Sequence, residues 1–248
     1  MFTNRLILLT TVVRKIKILT PCTMGPRYSK PMSYIPSKPP MHFVYRAMAY
    51  CAHTCKLQGI DSSHDHTHMT RVARTAIRLN ALCGRRVSYE EEVVMILAAF
   101  THDLCDRKYT DVRSGLVSIR RWLRTLPITD DMLAAVITII GTMSYSKVTA
   151  YGYPTDLGKW ELAYHHVRIA DLIDAYDVRR CYNFQSHSHP DMPEADKWQA
   201  VVNLFESRVL TQLDLYITPV APYAESMARA RHILAAKEIT YIKESLRA

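Results

Sequence analysis

The fold this sequence predicts is an all-α helical bundle behind a basic, proline-rich leader, and three observations predict it. Apolar residues recur mostly at spacings of three and four, the mark of helix faces rather than strands. Only 7 Gly and 5 Phe occur in 248 residues that are 48% hydrophobic, a globular composition long enough to bury a sizeable core. Helix start and stop signals, such as Ser88 followed by Glu91, punctuate the apolar stripes.

The leader comes first. Residues 1–60 hold nine of the 32 Lys and Arg and no acid before Asp61, so the remainder balances 23 basic against 23 acidic residues. The net charge of +9 therefore belongs to the N-terminal part. Residues 6–13 are apolar but are interrupted by Thr10 and Thr11 and stopped by Arg14, Lys15 and Lys17, well short of the roughly 20 residues that span a bilayer. An acid-free, basic, hydroxyl-bearing start has the composition of an organellar transit peptide and equally of a disordered tail, and Met24, Met32 and Met41 offer later starts. Six prolines in 21–40 predict an extended linker. The expected division is a leader over 1–40 and a folded domain over 41–248. Nucleic-acid binding is disfavoured because the basic stretch lacks interleaved aromatics.

From 42 the pattern is helical. Segment 42–58 carries Phe43, Ala47, Tyr50 and Cys51 at helical spacing and stops at Gly59. Segment 63–83 carries His64, His66 and His68, then an apolar stripe. The capping box at Ser88 opens a helix through 93–100. Further helices are expected at 114–126, at 129–143 opened by Thr129, and at 158–178. Residues 179–193 are polar, end in two prolines and read as a loop, with His187 and His189 exposed on it. Amphipathic segments at 194–216 and 221–246 read as packing and oligomer surfaces, a homodimer among them. None of the six cysteines forms a CxxC, which fits a reduced, intracellular compartment, the cytoplasm first. Cys51 and Cys55 share a helical face and read as structural thiols.

Chemistry concentrates at Thr101-His102-Asp103-Leu104-Cys105-Asp106, delivered by an apolar helix into what should be the interior. Burying an imidazole beside a carboxylate costs several kcal/mol unless something compensates, and a bound cation does so. His102 and Asp103 lie about 100° apart on a helix and lean toward one point. One histidine from His64, His66 and His68, and one acid from Asp171 or Asp174, would complete a shell of two imidazoles and two carboxylates. His165 and His166 read as ordinary helix surface.

The series resembles a family. His68, His102-Asp103 and Asp171, in that order on successive helices, resemble the H…HD…D signature of the HD-domain metal-dependent phosphohydrolases. The likeness is greatest to their small YedJ-like standalone branch, with its sHDwxHxxRV, HDxxDxK, ISxs and DADRLDA segments. This chain reads Ser63-His64-Asp65-His66-Thr67-His68-Met69-Thr70-Arg71-Val72, His102-Asp103-Leu104-Cys105-Asp106-Arg107-Lys108, Met143-Ser144-Tyr145-Ser146 and Ile169-Ala170-Asp171-Leu172-Ile173-Asp174-Ala175. The likeness covers about 45–240, including Asn203-Leu204-Phe205-Glu206 and Ala228-Arg229-Ala230-Arg231-His232.

The resemblance implies an HD phosphohydrolase domain over 41–248 that holds one divalent ion through His68, His102, Asp103 and Asp171. The ligand types do not separate Mn, Mg, Co, Ni, Fe and Zn. It implies Asp106 as the base that orients a metal-bound water, and Arg71 and Lys108 as catalytic cations on phosphate oxygens. His64, four residues before His68, is expected to share its face and touch substrate. Asp174, one turn past Asp171, is expected to back a ligand histidine or a basic residue. The implied substrate is a small phosphorylated molecule, a nucleoside triphosphate or monophosphate foremost. The competing expectation is a catalytically silent module of the same fold, tethered by its basic leader to an acidic partner. Departures from the pattern, His66 for the tryptophan, Ile169 for the first acid and Leu172 for the arginine of the fourth segment, bear on substrate preference.

Overall fold

The computed structural model describes residues 40–83, 87–213 and 222–247. The leader over 1–39 lies outside these residues, and with it the expectations of a linker, a tail or a targeting segment. Among the described residues there is no strand. The described residues form ten α-helices in succession: α1 (Met41–Gln58), α2 (His66–Leu82), α3 (Tyr89–Thr101), α4 (Val112–Leu123), α5 (Asp130–Thr142), α6 (Tyr145–Tyr151), α7 (Glu161–Asp174), α8 (Val178–Ser188), α9 (Glu194–Ser207) and α10 (Ala224–Ser245). The all-α class is the one the sequence predicts. No single helix among them is long and apolar enough to cross a membrane.

The helix starts are chemically marked. Asp65 accepts from Thr67 N at the head of α2, and Thr129 from Met132 N at the head of α5. At α3 the capping box is complete, with Ser88 Oγ accepting from Glu91 N at 3.1 Å and Glu91 Oε2 from Ser88 N at 2.9 Å. Such caps each contribute about 1 kcal/mol. At the end of α1, Gly59 takes φ 64°, a left-handed conformation costly for any residue with a Cβ.

The core is built around α3. Every residue of α3 from Glu91 to Thr101 is buried. It packs against α1, α2, α5 and α7, and α2 and α7 also pack on each other. The ends of α2, α3 and α7 therefore meet inside the domain. After α3 the chain turns tightly, and α4 crosses so close that a Cβ on Gly115 would lie 2.8 Å from Cys105 Cβ. Only glycine fits there. Cys51 and Cys55 are buried thiols 3.9 Å apart, with Cys51 Sγ 3.1 Å from Met69 Sδ.

Two expectations require correction. Residues 179–193 are not a loop: most of them form α8, capped by Asp177 accepting from Arg180 N at 3.0 Å. The helix is polar because one face meets the 61–64 turn and Lys108, while the other rests on α9 through stacked Tyr182 and Trp198, 4.0 Å between centroids. His187 and His189 are exposed, as expected of that segment. His165 and His166 are not surface residues either. They are 4% and 1% exposed, since α7 is packed on nearly all sides.

His165 sets a pH dependence. Burial, and then the nearby charge of Arg168, push it down to about 4. A folded value below the unfolded 6.5 means that its contribution is fully present above pH 6.5 and is lost as pH falls toward 4. The loss is on the order of 3 kcal/mol. Melting temperatures measured from pH 7 to pH 4 should fall less steeply for His165→Gln than for the native chain. Parallel curves would show that His165 is not the titrating group.

Candidate metal centre

The turn at 61–64 prepares the site before α2 begins. Asp61 Oδ1 accepts from Ser63 N at 2.8 Å, and Asp61 Oδ2 accepts from the Tyr109 hydroxyl. His64 thus lies ahead of α2, not on it, and reaches the site because this turn aims it there. His64 Nδ1 lies 2.6 Å from Ser63 Oγ and 3.1 Å from the Tyr109 hydroxyl. Its Nε2 lies 3.2 Å from Lys108 Nζ. An ammonium only donates, so Nε2 carries the lone pair and Nδ1 the proton. Burial, with Arg180, Lys108 and His68 opposing protonation, brings His64 down to about 4 despite the pull of Asp103. It is a neutral imidazole at pH 7.

His68 projects from the first turns of α2 and is wholly buried, while His102 caps the end of α3 at 7% exposure. Their Nε2 atoms face each other at 3.2 Å. Asp103 Oδ2, from the turn after α3, lies 3.3 Å from His68 Nε2 and 3.5 Å from His102 Nε2. Asp171 Oδ1, from the last turns of α7, lies 3.4 Å and 3.6 Å from the same two atoms. Four electron-rich atoms converge.

The far sides of both rings are fixed. His102 Nδ1 lies 2.9 Å from Ala99 O, which can only accept, so Nδ1 is protonated and a neutral His102 turns a lone pair inward. His68 Nδ1 lies 2.7 Å from Asp174 Oδ2. Burial alone would raise Asp174, but hydrogen bonds from His68 and Arg71 outweigh it and bring the carboxyl down to about 2. Asp174 therefore accepts, and His68 too directs Nε2 inward.

Two lone pairs and two carboxylate oxygens pointed at one another repel unless a cation lies among them. A proton meets that demand in part: burial and Arg180 disfavour it on His68, yet Asp103, Asp171 and Asp174 together raise this group. Asp103 and Asp171, which burial would raise, are held low by the two histidines. A divalent ion meets the demand in full. Ligand atoms about 2.1 Å from a shared ion stand about 3.0–3.4 Å apart, close to the spacings found here. His68, His102 and Asp103 form a group that can hold a metal ion, their donor atoms all within 4.8 Å of one another, while Asp171 meets both histidines but stands outside that mutually close group.

The other expected site residues sit at the rim. Arg71 places Nε 2.9 Å and Nη2 3.1 Å from the Asp174 oxygens, so its fork is engaged behind His68 instead of facing outward. Asp106 Oδ1 accepts from Lys108 N at 2.9 Å, and its Oδ2 lies 3.9 Å from Lys108 Nζ. Lys108 also lies over the Phe184 ring, 4.9 Å from its centroid. Leu172, at the position of the motif arginine, packs in the core.

Three residues that the sequence did not single out join this group. Tyr109 and Phe184 flank His64 with ring centroids 5.8 Å and 5.6 Å away. Arg180 of α8 donates through Nε to Ser63 O and brings Nη2 to 3.3 Å from His68 Nε2. The available signal was Asp177 as a helix cap ahead of Val178, Cys181 and Tyr182 at helical spacing.

No family model matches the chain, and no curated protein matches it in sequence. Solved structures do. A protein from Lactobacillus plantarum is 20% identical with a TM-score of 0.62, the match covering 84% of this chain and 98% of that one. An HD-superfamily hydrolase from Bacillus thuringiensis is 21% identical with a TM-score of 0.58, over 84% of this chain and 98% of its own. At these identities the likeness is one of fold: the chain shares its helical architecture with a hydrolase of the HD superfamily.

Proposed function

We propose that this chain is an HD-superfamily phosphohydrolase that uses a divalent ion held by His68, His102, Asp103 and Asp171 to cleave a phosphate ester or anhydride of a small, nucleotide-like substrate. The observation that carries this reading is a pair of Nε2 atoms 3.2 Å apart with one carboxylate oxygen of Asp103 and one of Asp171 each within 3.6 Å of both, and with both histidine tautomers fixed from behind. A divalent ion supplies Lewis acidity and a water of lowered pKa there. In this reading Asp106, held by the Lys108 backbone and side chain, would be the group that orients the attacking water and takes its proton as the bond from phosphorus to the leaving group breaks. Lys108 offers a point charge to the phosphate oxygens. Arg71 acts through Asp174, which holds His68 in its tautomer, and not as a phosphate fork. His64, neutral and with a lone pair beside Lys108, contacts the substrate.

The test is elemental analysis of the purified protein together with phosphate release across a nucleotide panel supplied with Mn, Co, Ni or Mg. Stoichiometric metal and metal-dependent release are expected. A protein that takes up no metal and releases no phosphate with any of these ions defeats the reading.

A further inference from the structure

We infer that Arg180 of α8, acting with Lys108, forms the phosphate-recognition subsite beside the metal centre, gripping the non-bridging oxygens of the scissile phosphoryl group. This rests on the metal reading above. It goes beyond it in assigning the phosphate-binding fork to a helix outside the resemblance motifs.

The geometry is specific. Arg180 is anchored at one end only: Nε donates to Ser63 O, and Asp174, 3.9 Å away, is already engaged by His68 and by the Arg71 fork. The other end, Nη2, points at His68 Nε2 from 3.3 Å. That nitrogen is one of the atoms turned toward the ion. With its lone pair committed to a metal it would no longer accept from Arg180, and a guanidinium whose side chain is only 12% exposed would be left with an N–H directed into the ion site without that acceptor. An oxygen shared with the ion satisfies it. A phosphoryl group provides such oxygens, and arginine meets them with directed, charge-assisted hydrogen bonds.

Lys108 closes the other flank. Its Nζ lies 3.2 Å from His64 Nε2, and the His64 ring is 6.2 Å from that of His68, which Arg180 meets at 3.3 Å, so one cation attends each of two neighbouring histidines at the edge of the ion site. The placement is built, not incidental. Arg180 and Phe184 are four apart on α8, so they share the face that meets the 61–64 turn, with Phe184 edge-on to His64 and beneath Lys108. Tyr182 stacked on Trp198 pins the helix from behind. A single basic atom beside a metal attracts any anion, whereas a fork and a point charge separated by a ring match a tetrahedral group with several oxygens.

The test measures inorganic phosphate binding by calorimetry on the full chain, with metal content determined alongside. Native protein, Arg180→Gln, Arg180→Lys and the neighbouring Arg179→Gln are compared, Arg179 being exposed on α8. Metal stoichiometry is expected to survive in all four. Phosphate affinity should fall roughly 10- to 100-fold in Arg180→Gln, fall less in Arg180→Lys, which keeps the charge and loses the fork, and stay unchanged in Arg179→Gln. Should Arg180→Gln fail to fold, the Lys variant carries the comparison. Equal phosphate affinity in native and Arg180 variants, with metal bound in each, overturns the inference and leaves the metal centre standing. Native protein that binds no metal overturns both.

Discussion

Asp103→Ala is expected to empty the metal centre and to lower turnover about 10³-fold or more, since an ion is asked for several kcal/mol of transition-state stabilisation. Asp103 contributes one of the four inward atoms, 3.3 Å and 3.5 Å from the two Nε2 atoms, and its charge cannot be replaced from solvent in a buried cluster. The informative comparison is Asp106→Asn. Asp106 touches Lys108 and is not one of the four assigned ligands, so this variant should retain metal while turnover falls by about 10²–10⁴. Elemental analysis and steady-state rates on the same preparations separate the two roles. A fully active Asp106→Asn protein removes Asp106 as the base.

The second large effect is expected at Asp174→Ala, a residue that holds no metal in this reading. Its carboxylate takes His68 Nδ1 and the Arg71 fork, and lies 3.9 Å from Arg180. Removing it frees the His68 tautomer and leaves the half-exposed Arg71 and the nearly buried Arg180 without their shared counter-charge. Loss of such a backing carboxylate lowers metal affinity by about 10- to 100-fold. The fold also loses about 1–3 kcal/mol, less than for a fully buried pair because the Arg71 side chain is 39% exposed and partly screened by solvent. Metal titration and denaturant unfolding read the two losses independently. A variant with native metal affinity would show that His68 needs no help from behind.

What the sequence revealed, and what it hid, divides along physical lines. The bundle was legible because apolar periodicity and capping residues are local signals: the Ser88 box, Thr129 and Gly59 all stand where helices begin or end. His102 and Asp103 were legible as chemistry because their types are costly to bury without a reason. Burial left the other histidine open among residues 64–68 and the other acid open between Asp171 and Asp174, and only the resemblance singled out His68 and Asp171. Arg180 was hidden. A helix with only Val178 fully buried carries a thin apolar stripe, Val178 with the half-buried Cys181 and Tyr182, and among so many polar residues it read as a loop, leaving the arginine within it without an address. His165 and His166 were misread for the opposite reason, because α7 is enclosed nearly all round and a polar residue on such a helix looks like surface. Proximity through turns was equally invisible: His64 stands near His68 because Asp61 and Ser63 fold back beneath it, not because of helical phase.

The bond from His102 Nδ1 to Ala99 O ties the ligand to the last turn of the most enclosed helix in the domain. The shape of the interior and the reactivity of the centre are thereby one inherited trait. Drift at Leu97 or Phe100 would be screened twice, once for whether the chain folds and again for whether the imidazole still aims correctly. Equally enclosed positions on α10, such as Ala228 or Ile239, answer only to the first screen and are freer to vary.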